Sequence, residues 1–144
     1  AVDIMRIREI ARPLPVTSVP RAPPGIAGVI ELRGSVIPVL ELRARFGLPP
    51  RPAELESTAR HVVLRLDGRA YALVVDHVDD VVTVARSQIR SGPGVLIGDA
   101  ADVFHGVCAV GERLALLLNL RRIVERHDRL ELDQLLPARL PGDR

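Results

Sequence analysis

The chain has 144 residues, of which 47% are hydrophobic, 26% charged and 2% aromatic, with no Trp and a formal net charge of +2. That length suits one domain or two small, intimate subdomains, and that composition is globular and not disordered. A charge so near zero calls for no polyanionic partner, and so few aromatic rings cannot build a base-stacking groove, so nucleic acid is excluded as a partner class.

Taken in order, Ala1 to Ile10 begins with strand-like alternation at Val2 and Ile4, then places Ile4, Ile7 and Ile10 at spacings that suggest a bend or helical turn. Pro13, Pro15 and the proline cluster ending at Pro24 hold the next stretch extended and irregular. Gly28 to Arg43 then reads as strand, tight Gly34-Ser35 turn, strand and short helical turn, because Gly takes the positive φ that a primed hairpin turn needs. Arg51 to Ala59 is polar and reads as a loop. Residues 61–66, Asp67-Gly68 and residues 71–75 form the clearest hairpin signal, and 79–84 read as one more short strand. Residues 86–105 are poorly periodic and read as a loop. Gly106-Val107, a turn near Gly111-Glu112 and the apolar run Leu114 to Leu118 follow, with Asn119 capping a helix that runs to about His127. In the tail, Leu132, Leu135 and Leu136 share one helical face, which predicts a helix docking on the first subdomain.

The hairpin is repeated. Leu32, Val36, Leu40 and Leu42 correspond to Val110, Leu114, Leu118 and Leu120, with Gly28-Val29 matching Gly106-Val107. Upstream, Ala1-Val2-Asp3-Ile4 resembles Ala72-Leu73-Val74-Val75. Two similar all-β units around a pseudo-twofold axis follow from that spacing. The match predicts that the first unit lacks an N-terminal strand, since His61 to Leu66 has no counterpart before Ala1. Such an open edge invites pairing with another chain, including a second copy in a homo-oligomer.

Chemistry is sparse. One cysteine, Cys108, allows neither an internal disulfide nor a Cys-cluster metal site, and it stands among strand residues as a buried, inert thiol. His61, His77, His105 and His127 form no ligand spacing, and the Asp76, His77, Asp79, Asp80 group reads as a solvated strand end. No phosphate loop, dinucleotide fingerprint or nucleophile elbow occurs, so no catalytic residue, metal or cofactor is assigned. The chain shows no signal segment and no apolar run long enough to span a membrane, which predicts a cytoplasmic protein without membrane insertion. What remains is protein interaction, with Arg33 as a binding residue at the turn, or else paired to Glu9 or Glu31. Glu41 is expected to cap poorly, and Pro38 to bend its strand or lie at an edge.

The stretch Ala1-Val2-Asp3-Ile4 through Ile7-Arg8-Glu9-Ile10, with Ile26 to Arg43, Ala72 to Val81 and Gly106 through Leu120, resembles the CheW family of bacterial chemotaxis coupling proteins. The resemblance implies two small five-stranded SH3-like β-barrels with short helices, divided here as 1–58 and 59–124, with 125–144 as the C-terminal helix and tail. It implies a non-catalytic adaptor coupling the cytoplasmic tip of a chemoreceptor to the regulatory domain of a CheA-type histidine kinase. By position it places partner contacts at Ile7, Glu9, Gly28 and Arg33, with Val75 and Val78. Glu31 and Glu41 depart from the family's Asn and Asp. The regulatory domain of a CheA-type kinase and a small-molecule-binding β-barrel sensor are the alternatives.

Overall fold

The computed structural model describes residues 1–23, 25–90 and 103–125. Strands form where aliphatic and β-branched residues run together: β1 (Ile7–Ala11), β2 (Ile26–Leu32), β3 (Ser35–Glu41), β4 (Arg60–Leu66), β5 (Arg69–Val75), β6 (Phe104–Val110) and β7 (Arg113–Leu118). The helices α1 (Leu42–Arg45) and α2 (Leu120–Glu125) each follow directly on a hairpin. The chain forms two compact units, one of Arg6–Asp79 and one of Ala1–Met5 with Asp80–Arg126.

In the first unit the strands form a five-stranded sheet in the order β1-β4-β5-β3-β2, with β3 and β5 parallel and the other pairs antiparallel. One rung runs Glu9, Val63, Ala72, Val39, Gly28 across all five strands. Its centre is sealed: Val39 and Ala72 have no exposed surface. With Ile30, Ile37, Val63 and Val74 they form the core on one face. Leu40, Val62, Leu64 and Leu73, which alternate with them, are equally buried. A sheet buried on both faces needs apolar runs, not alternation, and His61-Val62-Val63-Leu64 and Tyr71-Ala72-Leu73-Val74 are such runs.

The expected division at 58/59 is corrected by this sheet. β4 and β5 hydrogen-bond to β1 and β3, so the 61–75 hairpin belongs with the first unit. β1 is paired along its length with β4. A local pattern identified both hairpins, but which edge each joins is a long-range choice.

One turn also moved, and one strand is absent. Leu32 pairs with Ser35, so the turn is Arg33-Gly34 and not Gly34-Ser35. The strand expected at 79–84 does not form. Asp80 Oδ1 accepts the Val81 N–H at 2.7 Å, a local bond that competes with a ladder, and Val81 and Val82 are exposed. The predicted helix at 129–136 lies outside the described residues.

In the second unit β6 and β7 form a hairpin. Ala1 adds to its β7 side: its nitrogen donates to Leu116 O at 2.7 Å, and Leu118 N–H donates to Ala1 O at 2.8 Å. That is a parallel pairing of Ala1 with Leu117, the counterpart of the parallel pair Ala72–Val39 in the first unit. The repeat is therefore real at the level of hydrogen bonds, and each hairpin takes its parallel neighbour from a distant part of the chain.

Candidate partner-binding surface

The Arg33-Gly34 turn has φ values of 51° and 81°, the pair of positive values that a type I′ hairpin turn requires. Arg33 holds its left-handed conformation at a cost of about 1 kcal/mol, which a Gly there would avoid. Its guanidinium reaches Glu9 on β1, with Nη1 2.8 Å from Oε1 and Nη2 3.4 Å from Oε2. β1 and β2 are the two edges of the sheet, and this fork ties the turn that ends β2 to β1. The Arg33 side chain is 78% exposed, and the ion pair stabilises by no more than about 1 kcal/mol.

Ile7 begins β1 opposite Leu64, half-buried, and a bulge separates it from Glu9. Gly28 is buried and does something else. The Val16–Thr17 backbone crosses over it, with Thr17 and Val29 exchanging two hydrogen bonds of 2.9 Å, and a Cβ on Gly28 would fall on the Thr17 carbonyl. Gly28 therefore admits a crossing segment and offers no side chain. This crossing also explains Pro38. Val29 spends both backbone groups on Thr17, so Pro38 opposite it belongs to a non-hydrogen-bonded pair and its missing N–H costs that ladder nothing. Pro38 is buried in an interior strand, so of the two expectations for it, a bend or an edge, the edge does not hold.

Val75 closes β5 opposite Arg60, half-buried, and Val78 follows in an irregular segment, 42% exposed. They stand near Glu41 and His61, at the far end of β3 from the Arg33-Gly34 turn. The structure thus joins Glu9 to Arg33, sets Ile7 on the same strand and places Val75 and Val78 apart.

At that far end lies a cluster that sequence reasoning passed over. The Asp76 carboxylate accepts from Arg43 Nε and Nη2 at 2.9 Å each and from Arg51 Nε at 2.8 Å. Arg51 also forks onto Glu41 at 3.1 and 3.2 Å. Glu41 accepts the Arg43 N–H at 3.2 Å, so it caps α1 after all and serves the arginine as well. Arg43's hydrogen bonds hold the Asp76 carboxyl below its ordinary range; burial works against this and Arg51 adds to it. The signal lay in the repeat: Asp76 aligns with Met5, so an acid stands here where the other copy has a thioether. A pocket of about 230 Å³ opens beside the cluster, lined by Glu41, Arg43, Ala44, Leu48, Pro50 and Arg51. Both of its guanidinium groups are already committed to carboxylates. Among the described residues no three His, Cys, Asp or Glu are placed to hold a metal ion, and no helix is long and apolar enough to cross a membrane.

Comparison with known proteins gives this geometry its setting. The CheW-like domain model matches residues 1–128. The chain belongs to the CheW-like domain family. The probable chemotaxis protein CheW of Rhizobium etli is 34% identical over 124 residues, covering 85% of this chain and 77% of that protein. The chemotaxis protein CheW of Rhizobium meliloti is 34% identical over 130 residues, covering 89% and 81%. Among solved structures, the scaffolding protein TtCheW from Thermoanaerobacter tengcongensis superposes with a TM-score of 0.78 at 25% identity, over 88% of this chain and 80% of that one.

Proposed function

We propose that this CheW-like chain is a non-catalytic chemotaxis scaffold, coupling the cytoplasmic tip of a chemoreceptor to the regulatory domain of a CheA-type histidine kinase. The observation that carries the reading is the family match over residues 1–128, supported by likeness to a scaffolding protein. Mechanistically the chain does no chemistry. It holds two partners in fixed relation through complementary surfaces, with apolar contacts for affinity and polar rims for specificity.

We infer that the first unit is a small SH3-like barrel whose edges meet at Glu9 and Arg33. Ile7 supplies apolar area beside that ion pair, and Arg33 supplies a fork of donors for a receptor helix. Gly28 shapes the surface by admitting the Val16–Thr17 crossing. Val75 and Val78 extend the receptor contact at the end of β5.

The test is a pull-down of the full chain against the receptor tip and the kinase regulatory domain. Both bind the wild-type chain, and Arg33→Ala weakens receptor binding about tenfold, the loss typical of an interface arginine. Binding to neither partner overturns the scaffold reading. Unchanged receptor binding by the mutant removes Arg33 from the surface.

A further inference from the structure

We propose that Asp76 is a positioning residue: it fixes the direction in which the chain leaves β5 and thereby sets how Val75 and Val78 meet the receptor. The proposal rests on the assignment of Val75 and Val78 to the receptor surface made above.

Asp76 is the first residue beyond β5 and is held on three sides. Its carboxylate takes a two-bond fork from Arg43 and a third bond from Arg51. Its carbonyl accepts from Thr58 Oγ1 at 2.9 Å. These donors come from α1, from the loop after it and from the turn before β4, so three separate segments converge on one residue. The arginines are themselves fixed. Arg51 grips Glu41, which pairs with Val74 inside the sheet, and Arg43 Nη1 donates to Pro49 O at 3.0 Å. Their side chains are only 16% and 12% exposed, so water competes weakly for these bonds.

Beyond Asp76 the support changes character. Residues 77–85 form no strand, so no ladder directs them. The nearest further tie is a contact between His77 Nε2 and Asp79 Oδ1 at 3.0 Å, with both side chains more than half exposed. An exposed pair of that kind holds little. The direction of the segment bearing Val78 is therefore set where it starts. Two arginines balanced by Glu41 and Asp76 leave no net charge to recruit a ligand. The cluster points inward at its own chain, as a support for a neighbouring contact does.

The test uses Asp76→Asn in the full chain, which keeps the side-chain shape and removes the charge. Two quantities are read: NMR order parameters at His77–Asp79 in the free protein, and affinity for the receptor tip. Wild-type order near that of rigid backbone, about 0.85, should fall towards 0.6 at 77–79 while β4 is unchanged. Receptor affinity should fall about fivefold, and Asp76→Glu should recover part of both. Val78→Ala is measured alongside and should weaken receptor binding without changing the order parameters. Unchanged order at 77–79 in Asp76→Asn overturns the positioning role whatever the affinity does. Loosened order with wild-type affinity, where Val78→Ala does weaken binding, overturns the link to the receptor. A Val78→Ala variant that binds as wild type strikes down the assignment of Val78 and the receptor half of the proposal with it, leaving the order parameters to judge the effect on the chain's direction. Should Asp76→Asn fail to fold, Arg43→Lys, which keeps the cation and loses the fork, must show the same changes in smaller measure, and normal order there equally overturns the proposal.

Discussion

The hairpins β2–β3 and β6–β7 are built by one rule and finished by two. In each, a bulge precedes a glycine: the register shifts between Ile26 and Gly28 and again between Phe104 and Gly106. In each, the residue after that glycine exchanges two backbone bonds with a crossing segment, Val29 with Thr17 and Val107 with Arg90. In each, the second strand runs into a helix with a side-chain cap, Glu41 for α1 and Asn119 for α2. Burial then separates them. Ile37 and Leu40 of β3 are nearly inaccessible, whereas Leu114 of β7 is 78% exposed. β3 lies against β5 over three paired residues, with β4 and β1 beyond it, and this is what covers its side chains. Local sequence makes the hairpin, and the strands recruited from elsewhere decide whether it becomes core.

The glycines break the comparison most strongly. A Cβ on Gly28 meets the Thr17 carbonyl, and a Cβ on Gly106 meets the Arg90 carbonyl. Gly28 carries a second burden, a φ of 148° that side chains rarely adopt, which Gly106 does not share. Gly28→Ala should therefore lose about 3 kcal/mol and Gly106→Ala about 2 kcal/mol, read from urea midpoints at constant slope. Losses below about 0.5 kcal/mol in both would mean that the crossing segments lift away easily, and that the shared rule is only a resemblance of backbone.

How much of this was legible depends on range. The Asp67-Gly68 turn and the capping Asn119 were readable because each rests on residues a few positions apart, and the repeat because its spacing recurs intact. The grouping of strands was not. Residues 61–66 read as the first strand of a second unit, yet β4 lies between β1 and β5. Nothing in an apolar run such as His61-Val62-Val63-Leu64 says which neighbours it will choose, because both of its faces are buried and so carry no polar side to orient it. The Arg33–Glu9 pair was one of the two pairings anticipated, the other being with Glu31. The Asp76 cluster was missed because Arg43, Arg51 and Asp76 are far apart in sequence, and a polar group after a strand, Asp76-His77 with Asp79-Asp80, reads as solvated.

Acid should separate the units next. His61 is 2% exposed in the first unit, and its Nδ1 accepts the Leu14 N–H at 3.3 Å, while His105 in the second unit is exposed. Burial pushes the His61 pKa below its ordinary 6.5; Glu41 pulls it up in part and Arg51 lowers it further. The unfolded chain then binds this proton more readily than the folded one. The contribution of His61 is complete above pH 6.5 and is lost as pH falls from there through its lowered folded value. Melting temperatures measured from pH 7.5 down to 5 should fall at the acid end, and His61→Gln, which keeps an acceptor for Leu14, should flatten that part of the curve. An unchanged slope in the variant would assign the acid sensitivity to other groups.

The smallest stability effect is expected at the turns, where it sharpens the comparison from the side of function. Arg33-Gly34 and Asp67-Gly68 share one geometry, with φ of 51° and 81° in the first and 50° and 78° in the second. Each spends a non-glycine residue in a left-handed conformation. Arg33→Gly removes about 1 kcal/mol of backbone strain and forfeits an exposed ion pair of similar size, so thermal stability should stay within about 0.5 kcal/mol of wild type. Receptor affinity should nevertheless fall as it does in Arg33→Ala, because the lost group is the guanidinium and not the turn. A variant that binds normally while folding normally would show that the sheet edge, and not its arginine, is what the receptor meets.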